Sequence, residues 1–227
     1  MEPVRFSTND GVSLEGELGM PEGTPVGSAV ICHAHPRHGG SKDHPILWAL
    51  RNELANRDLA VLSFNFRGTM RSSGTYGGGR TETRDLEAAI GFVRSRTGGP
   101  TIVCGWSFGA SVALRQALTD ERVAALVLMG LPLEPVEVDV PPPPNATELR
   151  SFRRPVLLLA GEGDVVCPRP ALETLGRALP KGRVEILAGT DHFLWRRERE
   201  AAAIAGGFAE RAAGPPTPRG RPDGSRS

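Results

Sequence analysis

Short apolar runs alternate with amphipathic stretches along most of the chain. The first two runs, residues 4–7 and 12–18, alternate apolar and polar side chains and flank the turn signal Asn9-Asp10-Gly11, which predicts a β-hairpin. The later runs are continuously apolar, as in strands that are buried on both faces of a parallel sheet. These predicted buried strands comprise residues 28–32, 59–66, 101–104, 123–129, 155–160 and 184–187.

Helical patterns fill most of the intervals between these strands. In residues 46–57, for example, Ile46, Leu47, Leu50 and Leu54 fall on one stripe of a helix. The predicted helices comprise residues 46–57, 83–94, 110–118, 170–179 and 198–211. Strands that alternate with helices after an opening hairpin predict an α/β fold, with a mostly parallel sheet of about eight strands and helices on both faces.

Residues 1–213 are expected to form a single domain, since 227 residues fit one sizeable core. Residues 130–154 change in character, because they are acidic and contain four consecutive prolines, Pro141 to Pro144. We interpret them as a short proline-rich connection that holds at most one short helix, over residues 145–152. Residues 214–227 are rich in Pro, Gly, Arg and Ser and are predicted to be a disordered tail.

Composition narrows the range of partners and compartments. The formal charge of +1 gives no reason to expect nucleic acid or an anionic membrane as the main partner. No apolar run approaches the length of a membrane span, and the charged residues 1–10 do not resemble a secretory signal. The three cysteines have no metal-like spacing, and we expect Cys32 and Cys104 to be buried, reduced thiols. We therefore expect a cytoplasmic protein; the sequence carries no signal for an oligomeric state.

A Gly-x-Ser-x-Gly motif, Gly105 to Gly109, follows the predicted strand 101–104 and precedes the predicted helix 110–118. This strand–turn–helix context is the one in which a nucleophilic serine stands on a sharp, strained turn. Flanking glycines are needed there, since a Cβ would clash with the adjoining strand and helix. Backbone N–H groups at the start of the following helix are free to stabilise negative charge.

Further polar residues follow other predicted strands at their carboxyl ends, where sites form in parallel sheets. Glu162 and Asp164 come after the strand 155–160, and Asp191 and His192 come after the strand 184–187. Together with Ser107 they give the chain order serine, acid, histidine. Asp191 adjoins the histidine in sequence and is expected to point away from it. Spacing alone leaves Glu162 and Asp164 as alternatives.

The ordered motifs resemble the α/β-hydrolase superfamily, and most closely a compact, nearly capless bacterial branch of serine hydrolases. The matching motifs are the His33-Ala34-His35-Pro36 loop, the Asn65-Phe66-Arg67-Gly68 loop and the Gly105 to Gly109 elbow. The resemblance spans about residues 12–211. It implies Ser107 as nucleophile, His192 as general base and Asp164, in the Gly-x-x-Asp position, as the orienting acid. It also implies an oxyanion hole formed by the backbone N–H groups of Phe108 and of His35, with Ala34 as the alternative to His35.

Several residues near this predicted site allow more than one role. Trp106, Arg67 and Phe193 are candidates to line the pocket, although Arg67 could brace a loop and Phe193 could pack under the last helix. Histidines at positions 33, 35, 38 and 44 match no common zinc spacing, so we expect a structural role for them and no metal. The loop cations, which could attract an anionic substrate or simply be solvated, are Arg37, Lys42, Arg67 and Arg71.

The sequence thus predicts a serine hydrolase that cleaves short-chain acyl esters through an acyl-enzyme, a carboxylesterase-like enzyme of EC class 3.1.1. A thioesterase or an amide hydrolase with the same triad is the alternative, and a non-catalytic binding protein on this fold is a third hypothesis. The serine in the elbow argues against members of the fold that use aspartate or cysteine nucleophiles. No phosphate loop, dinucleotide fingerprint or HExxH motif occurs, so we expect a small-molecule acyl substrate and no cofactor.

Overall fold

Eight strands form one sheet in a computed structural model of the protein that describes residues 1–134 and 139–214. Of the predicted tail, residues 214–227, all but the first residue lie outside the described part of the chain. The strands are β1 (Glu2–Ser7), β2 (Ser13–Gly19), β3 (Gly27–Cys32), β4 (Leu59–Phe64), β5 (Thr101–Trp106), β6 (Val123–Met129), β7 (Val156–Gly161) and β8 (Gly182–Leu187). Their order in the sheet is β1-β2-β4-β3-β5-β6-β7-β8. Only β1–β2 and β2–β4 pair antiparallel, so the opening hairpin and the parallel remainder are confirmed.

The helices occur where the apolar periodicity predicts them. They are α1 (Pro45–Ala55), α2 (Glu82–Thr97), α3 (Phe108–Thr119), α4 (Ala146–Ser151), α5 (Arg169–Ala178) and α6 (Glu198–Ala213), with a single 3₁₀ turn at Pro36–His38. The elements differ from the predictions mainly at their ends. For instance, β5 continues to Trp106 because that residue pairs with Met129 of β6. In the part of the chain that the structure describes, no helix has the length and apolar character required to cross a membrane.

Both faces of the sheet are covered by helices, as the continuous apolar strands predict. Alternate residues of β3 show the division: Val30 packs in the cluster that includes α2 and α3, whereas Ile31 packs in the cluster that includes α1 and α6. The predicted stripe of α1 is buried in the second cluster. This two-sided burial fixes the strands, and with them the loops at their carboxyl ends.

Part of the segment between β6 and β7 is held by a short helix and by hydrogen bonds to α3. Asn145 caps α4 with a reciprocal capping box to Glu148, so the short helix predicted over 145–152 forms. Arg115 of α3 donates hydrogen bonds to the carbonyl oxygens of Pro142 and Pro143 at 2.7 and 2.9 Å. The proline run is therefore tied to the body of the domain, and residues 135–138 lie outside the described part.

The cysteines are packed in the interior. Cys32 and Cys104 are buried free thiols on the central strands, as expected, and Cys167 is buried as well. Burial raises the pKa of Cys104 to about 12 and also raises the pKa of Cys32. These two thiols are therefore protonated at neutral pH and act as small core residues.

Candidate active site

The turn between β5 and α3 places Ser107 in a strained conformation. Its φ of 55° and ψ of −119° are unusual for a residue with a side chain. The N–H of Ser107 donates to the carbonyl oxygen of Met129 at 2.9 Å, which anchors the turn to β6. A Cβ at Gly105 would overlap the backbone of Gly109, and a Cβ at Gly109 would overlap the carbonyl of Cys32. The elbow therefore has the close approaches that its two glycines predict.

Three side chains from three strand ends form one continuous hydrogen-bonded chain. Nε2 of His192 lies 3.0 Å from Oγ of Ser107, and its Nδ1 lies 2.9 Å from Oδ2 of Asp164. The Asp164 side chain is fully buried and that of His192 is 15% exposed. An ionised carboxylate can only accept, so Nδ1 carries the proton and Nε2 is left to accept from the serine hydroxyl. This is the tautomer that a general base requires.

The two competing acids have other partners. Oε2 of Glu162 accepts the N–H of Gly189 at 3.1 Å, and Oδ1 of Asp191 accepts the N–H of Phe193 at 2.9 Å. Both carboxylates therefore stabilise the loop that carries His192. Asp164 is the carboxylate that contacts the ring.

Gly130, the residue that follows β6, is a part of the site that the sequence did not indicate. Its φ is +53°, and a Cβ there would lie 3.1 Å from Cε1 and Nδ1 of His192 and 3.3 Å from Oδ2 of Asp164. The space behind the histidine–aspartate pair thus depends on a missing side chain. The signal that the sequence offers for this position is a glycine directly after a buried strand.

The loop after β3 and the start of α3 lie on the cavity side of Ser107. Phe108 is the first residue of α3, so its N–H has no acceptor within the helix. Within residues 1–134 and 139–214, no turn or loop hydrogen bond is donated by the N–H of Ala34 or of His35. The carbonyl of His35 accepts from the N–H groups of His38 and Gly40, both at 3.0 Å, which fixes the loop.

Tyr76 orients the ring of His35, a contact that sequence reasoning missed. The N–H of Arg37 donates to Nδ1 of His35 at 3.2 Å, so Nε2 carries the proton and donates to the Tyr76 hydroxyl at 2.9 Å. Tyr76 in turn donates to the carbonyl of Asp139. Burial lowers the pKa of His35, which keeps the ring in the neutral form that this network needs. The network joins the His35 loop to the segment that follows β6.

His33 links two loops through both of its ring nitrogens. Nδ1 donates to the carbonyl of Ala34 at 2.6 Å, and Nε2 accepts the N–H of Phe66 at 3.0 Å. Burial lowers the pKa of His33 to about 4. Both ring nitrogens of His33 and both of His35 thus form hydrogen bonds within the protein. A metal site in this loop would need some of these nitrogens as ligands. Among the described residues, no three His, Cys, Asp or Glu side chains are grouped as they would be around a metal ion.

Arg67 does not line the cavity, and its candidate role in the pocket is corrected here. Its guanidinium pairs with the buried Asp85 at 2.7 Å and with Asp10 at 2.9 Å, because a buried charge requires such partners. Arg67 therefore braces the loop after β4. Lys42 is likewise paired, with Glu17 and Asp43, both at 2.7 Å.

A cavity of about 440 Å³ opens in front of Ser107 and is lined mainly by apolar side chains. Trp106 and Phe193 line it, and Phe193, which is 46% exposed, lies at its edge. Pro132 and Val140, from the segment after β6, contribute another part of the wall. The remaining lining residues are Ala34, His35, His38, Gly39, Gly40, His44, Ser107, Phe108, Val166 and His192. None of these described residues is Arg, Lys, Asp or Glu, so the candidate loop cations, Arg37, Lys42, Arg67 and Arg71, are not among the described residues that line this cavity.

Several known proteins are similar to this chain in sequence or in fold. An Escherichia coli K12 protein of uncharacterised function, YfhR, is 35% identical over 100 residues, which cover 42% of this chain and 33% of that protein. The chain thus matches about a third of the length of that relative. An α/β serine hydrolase homologue from Coxiella burnetii is 28% identical with a TM-score of 0.74, over 90% of this chain and 96% of the other.

A lidless α/β serine hydrolase from Xanthomonas campestris, 24% identical, has the same fold with a TM-score of 0.78, over 95% of this chain and 96% of that one. A Pyrococcus furiosus esterase, 19% identical, also shares the fold, with a TM-score of 0.77 over 94% and 93% of the two chains. The family model of the alpha/beta hydrolase domain matches residues 27–213, most of the chain. The chain therefore belongs to the α/β hydrolase family, as its ordered motifs led us to expect.

Proposed function

We propose that the protein is a serine hydrolase that cleaves short-chain acyl esters, an enzyme of the carboxylesterase class EC 3.1.1. The observation that carries this proposal is the chain of two hydrogen bonds from Ser107 through His192 to Asp164, at 3.0 and 2.9 Å. A serine hydroxyl is a poor nucleophile until a base within hydrogen-bond reach accepts its proton. Here the base is in reach and in the required tautomer.

The reaction proceeds through an acyl-enzyme. His192 accepts the hydroxyl proton at Nε2 while Oγ of Ser107 attacks the ester carbonyl carbon, and the buried carboxylate of Asp164 stabilises the imidazolium that forms. Collapse of the tetrahedral intermediate breaks the bond to the alcohol, which leaves with the proton from His192. A water molecule then attacks the acyl-enzyme by the same route, releases the acid and returns the proton to Ser107.

The oxyanion of each tetrahedral intermediate is assigned to two backbone donors. One is the N–H of Phe108, where the helix dipole of α3 adds positive potential. The other is the N–H of His35, with Ala34 as the alternative in the same loop. The hydrogen bonds of the His35 ring with the backbone N–H of Arg37 and with the Tyr76 hydroxyl support this role, because they hold the loop without using the N–H groups of Ala34 or His35.

The cavity favours an uncharged, small substrate. Its wall is mainly apolar, and none of its described lining residues is Arg, Lys, Asp or Glu, so a neutral acyl group suits it. The fold is shared with proteins named as esterases, among them the one from Pyrococcus furiosus. Because the same triad can activate Ser107 towards esters, thioesters and amides, the leaving group is the point that an assay must decide.

A covalent probe tests the proposal directly. A fluorophosphonate should label the wild-type protein, and Ser107→Ala should abolish the labelling and lower kcat by several orders of magnitude. Ser111→Ala is the matched control, since Ser111 is a largely buried serine one turn further along α3. Matched p-nitrophenyl ester, thioester and anilide substrates then rank the leaving groups. Labelling that survives Ser107→Ala, or esters that are the slowest of the three, would contradict the proposal.

A further inference from the structure

One imidazole in the cavity wall has no function in the mechanism above. His44, the residue before α1, lines the cavity, and its Nδ1 is buried without a hydrogen-bond partner in the described part of the chain. No hydrogen bond between described residues involves its Nε2 either, and Nε2 is not among the buried atoms, so it is the ring nitrogen that a ligand in the cavity can reach. A ring whose nitrogens lack partners in the wall of a ligand cavity is a candidate to bind the ligand, because an unsatisfied polar atom destabilises a protein.

The other polar side chains of the cavity are already accounted for. Ser107 and His192 bond to each other, and both ring nitrogens of His35 are engaged. His38 is exposed, so water can satisfy its ring. Among the described residues that line the cavity, His44 is thus the partly buried hydrogen-bonding side chain that is left for a ligand.

The ring of His44 is held in place rather than free to turn away. It packs on Trp106 with ring centroids 4.3 Å apart and planes inclined by 37°. Trp106 is itself fixed, because its indole N–H donates to the carbonyl of His192 at 3.2 Å. His44 is therefore separated from His192 by one indole ring, on the Trp106 side of the reacting serine.

The chemistry of this position selects a neutral polar group. Burial lowers the pKa of His44, and the opposing influence of the nearby Glu198 carboxylate is smaller, so the ring is neutral at pH 7. A neutral imidazole offers one N–H donor and one acceptor nitrogen, which a hydroxyl matches in either sense. A carboxylate would be left without a compensating cation, since no Lys or Arg is among the described residues that line the cavity.

We propose that His44 binds a hydroxyl group on the substrate, so that the enzyme prefers hydroxylated short-chain esters to their unsubstituted analogues. This inference rests on the proposed function and defines its substrate class. Trp106 positions the ring, and the surrounding apolar wall excludes water that would otherwise compete for the hydrogen bond.

Two isosteric pairs of esters test the inference on the two halves of the substrate. Methyl 3-hydroxybutyrate is compared with methyl isovalerate, and 2-hydroxyethyl acetate with propyl acetate; each pair replaces a methyl group by a hydroxyl. We expect kcat/KM to be at least about tenfold higher for the hydroxylated ester of one pair, the factor expected for one good hydrogen bond in a dry site. Wild-type ratios of about one in both pairs would overturn the inference and leave the proposed function intact. If none of the four esters is hydrolysed, both the inference and the proposed function are overturned.

Variants at two positions locate the effect. His44→Phe keeps a flat ring against Trp106 without the nitrogens and should reduce the ratio to about one, whereas His44→Gln, which keeps a donor and an acceptor, should restore part of it. Phe193→Leu is the control on the same wall and should change both esters of a pair by the same factor. A preference that persists in His44→Phe would show that another group binds the hydroxyl and would overturn the assignment.

Discussion

The two carboxylate oxygens of Asp164 have different partners, His192 for one and backbone N–H groups for the other. Oδ2 contacts Nδ1 of His192 at 2.9 Å, while Oδ1 accepts the N–H groups of Val166 and Cys167, both at 2.9 Å. The acid therefore has two tasks, to orient the histidine and to fix the turn after β7. Since every partner is a donor, the site demands an acceptor at both oxygens.

Replacing Asp164 by Asn makes these two tasks compete. An amide has a single acceptor oxygen, and the two backbone N–H groups hold it on their side. The NH₂ group then faces Nδ1 of His192 and forces the tautomer whose Nε2 carries a proton. We expect Asp164→Asn to fold yet lose a factor of about 10³ to 10⁴ in kcat, measured with p-nitrophenyl acetate.

The neighbouring acids supply matched controls for this loss. Asp191→Asn and Glu162→Gln remove carboxylates that bond only to backbone N–H groups in the structure. They should cost far less activity than Asp164→Asn. If either control is the crippling change while Asp164→Asn is mild, the acid has been assigned to the wrong residue.

Gly130→Ala should lower activity by steric displacement of His192, since it removes no group that takes part in the reaction. Its Cβ would press against the His192 ring from 3.1 Å, and a displacement of well under 1 Å already misaligns proton transfer. We expect kcat/KM to fall by about 10- to 100-fold, with a stability loss of about 1–2 kcal/mol from the left-handed backbone. Gly11→Ala separates the two effects, since Gly11 has a φ of +82° and no heavy atom near its added Cβ. Equal activity losses in the two variants would contradict this account.

The fold and the order of the site could be predicted from local patterns. Apolar periodicity locates each strand and helix, and strands buried on both faces imply that their carboxyl ends share one edge of the sheet. That is why Ser107, Asp164 and His192 could be named together before their distances were known. The resemblance to a family was needed to choose between Glu162 and Asp164, because they are two residues apart on the same turn.

Contacts between loops were beyond the reach of sequence reasoning. Tyr76 meets His35 across 41 positions of sequence, within a stretch that has no periodicity. The sequence left Arg67 with two candidate roles, in the pocket or as a brace of its loop, because nothing local shows that its guanidinium pairs with the buried Asp85, although the charge of Arg67 makes some such partner necessary. The sequence does not distinguish His44 from the other histidines of the loop, because its lack of a hydrogen-bond partner among the described residues is apparent only from the structure.

His33 should make the protein less stable in mild acid. Its pKa is about 4 in the folded protein, through burial, against an ordinary value of 6.5. The unfolded chain therefore binds a proton first, and stability that is present above pH 6.5 is lost as pH falls towards 4. We expect a loss of about 2 kcal/mol from this group between pH 7.5 and pH 5.

Urea unfolding at the two pH values measures this loss. His33→Gln keeps an acceptor for the N–H of Phe66 but does not titrate, so its stability should change less with pH than that of the wild type. His35 and His44, whose pKa values burial also lowers, contribute with the same sign in both proteins. An unchanged pH dependence in His33→Gln would show that His33 is not responsible.

Only a short segment after β6 covers the site, and we expect this to limit the length of the acyl group that the enzyme prefers. A cavity of about 440 Å³ accommodates a short chain, and Arg115 holds Pro142 and Pro143, close to the wall residue Val140, against the domain. Each methylene buried in the cavity adds about 0.8 kcal/mol, roughly fourfold in kcat/KM, and each methylene left in water adds nothing. Across p-nitrophenyl esters from acetate to palmitate, kcat/KM should therefore stop rising within the first few carbons. Val140→Ala should shift the optimum to a longer chain, and a steady rise to the longest soluble ester in the wild type would contradict the short-chain assignment.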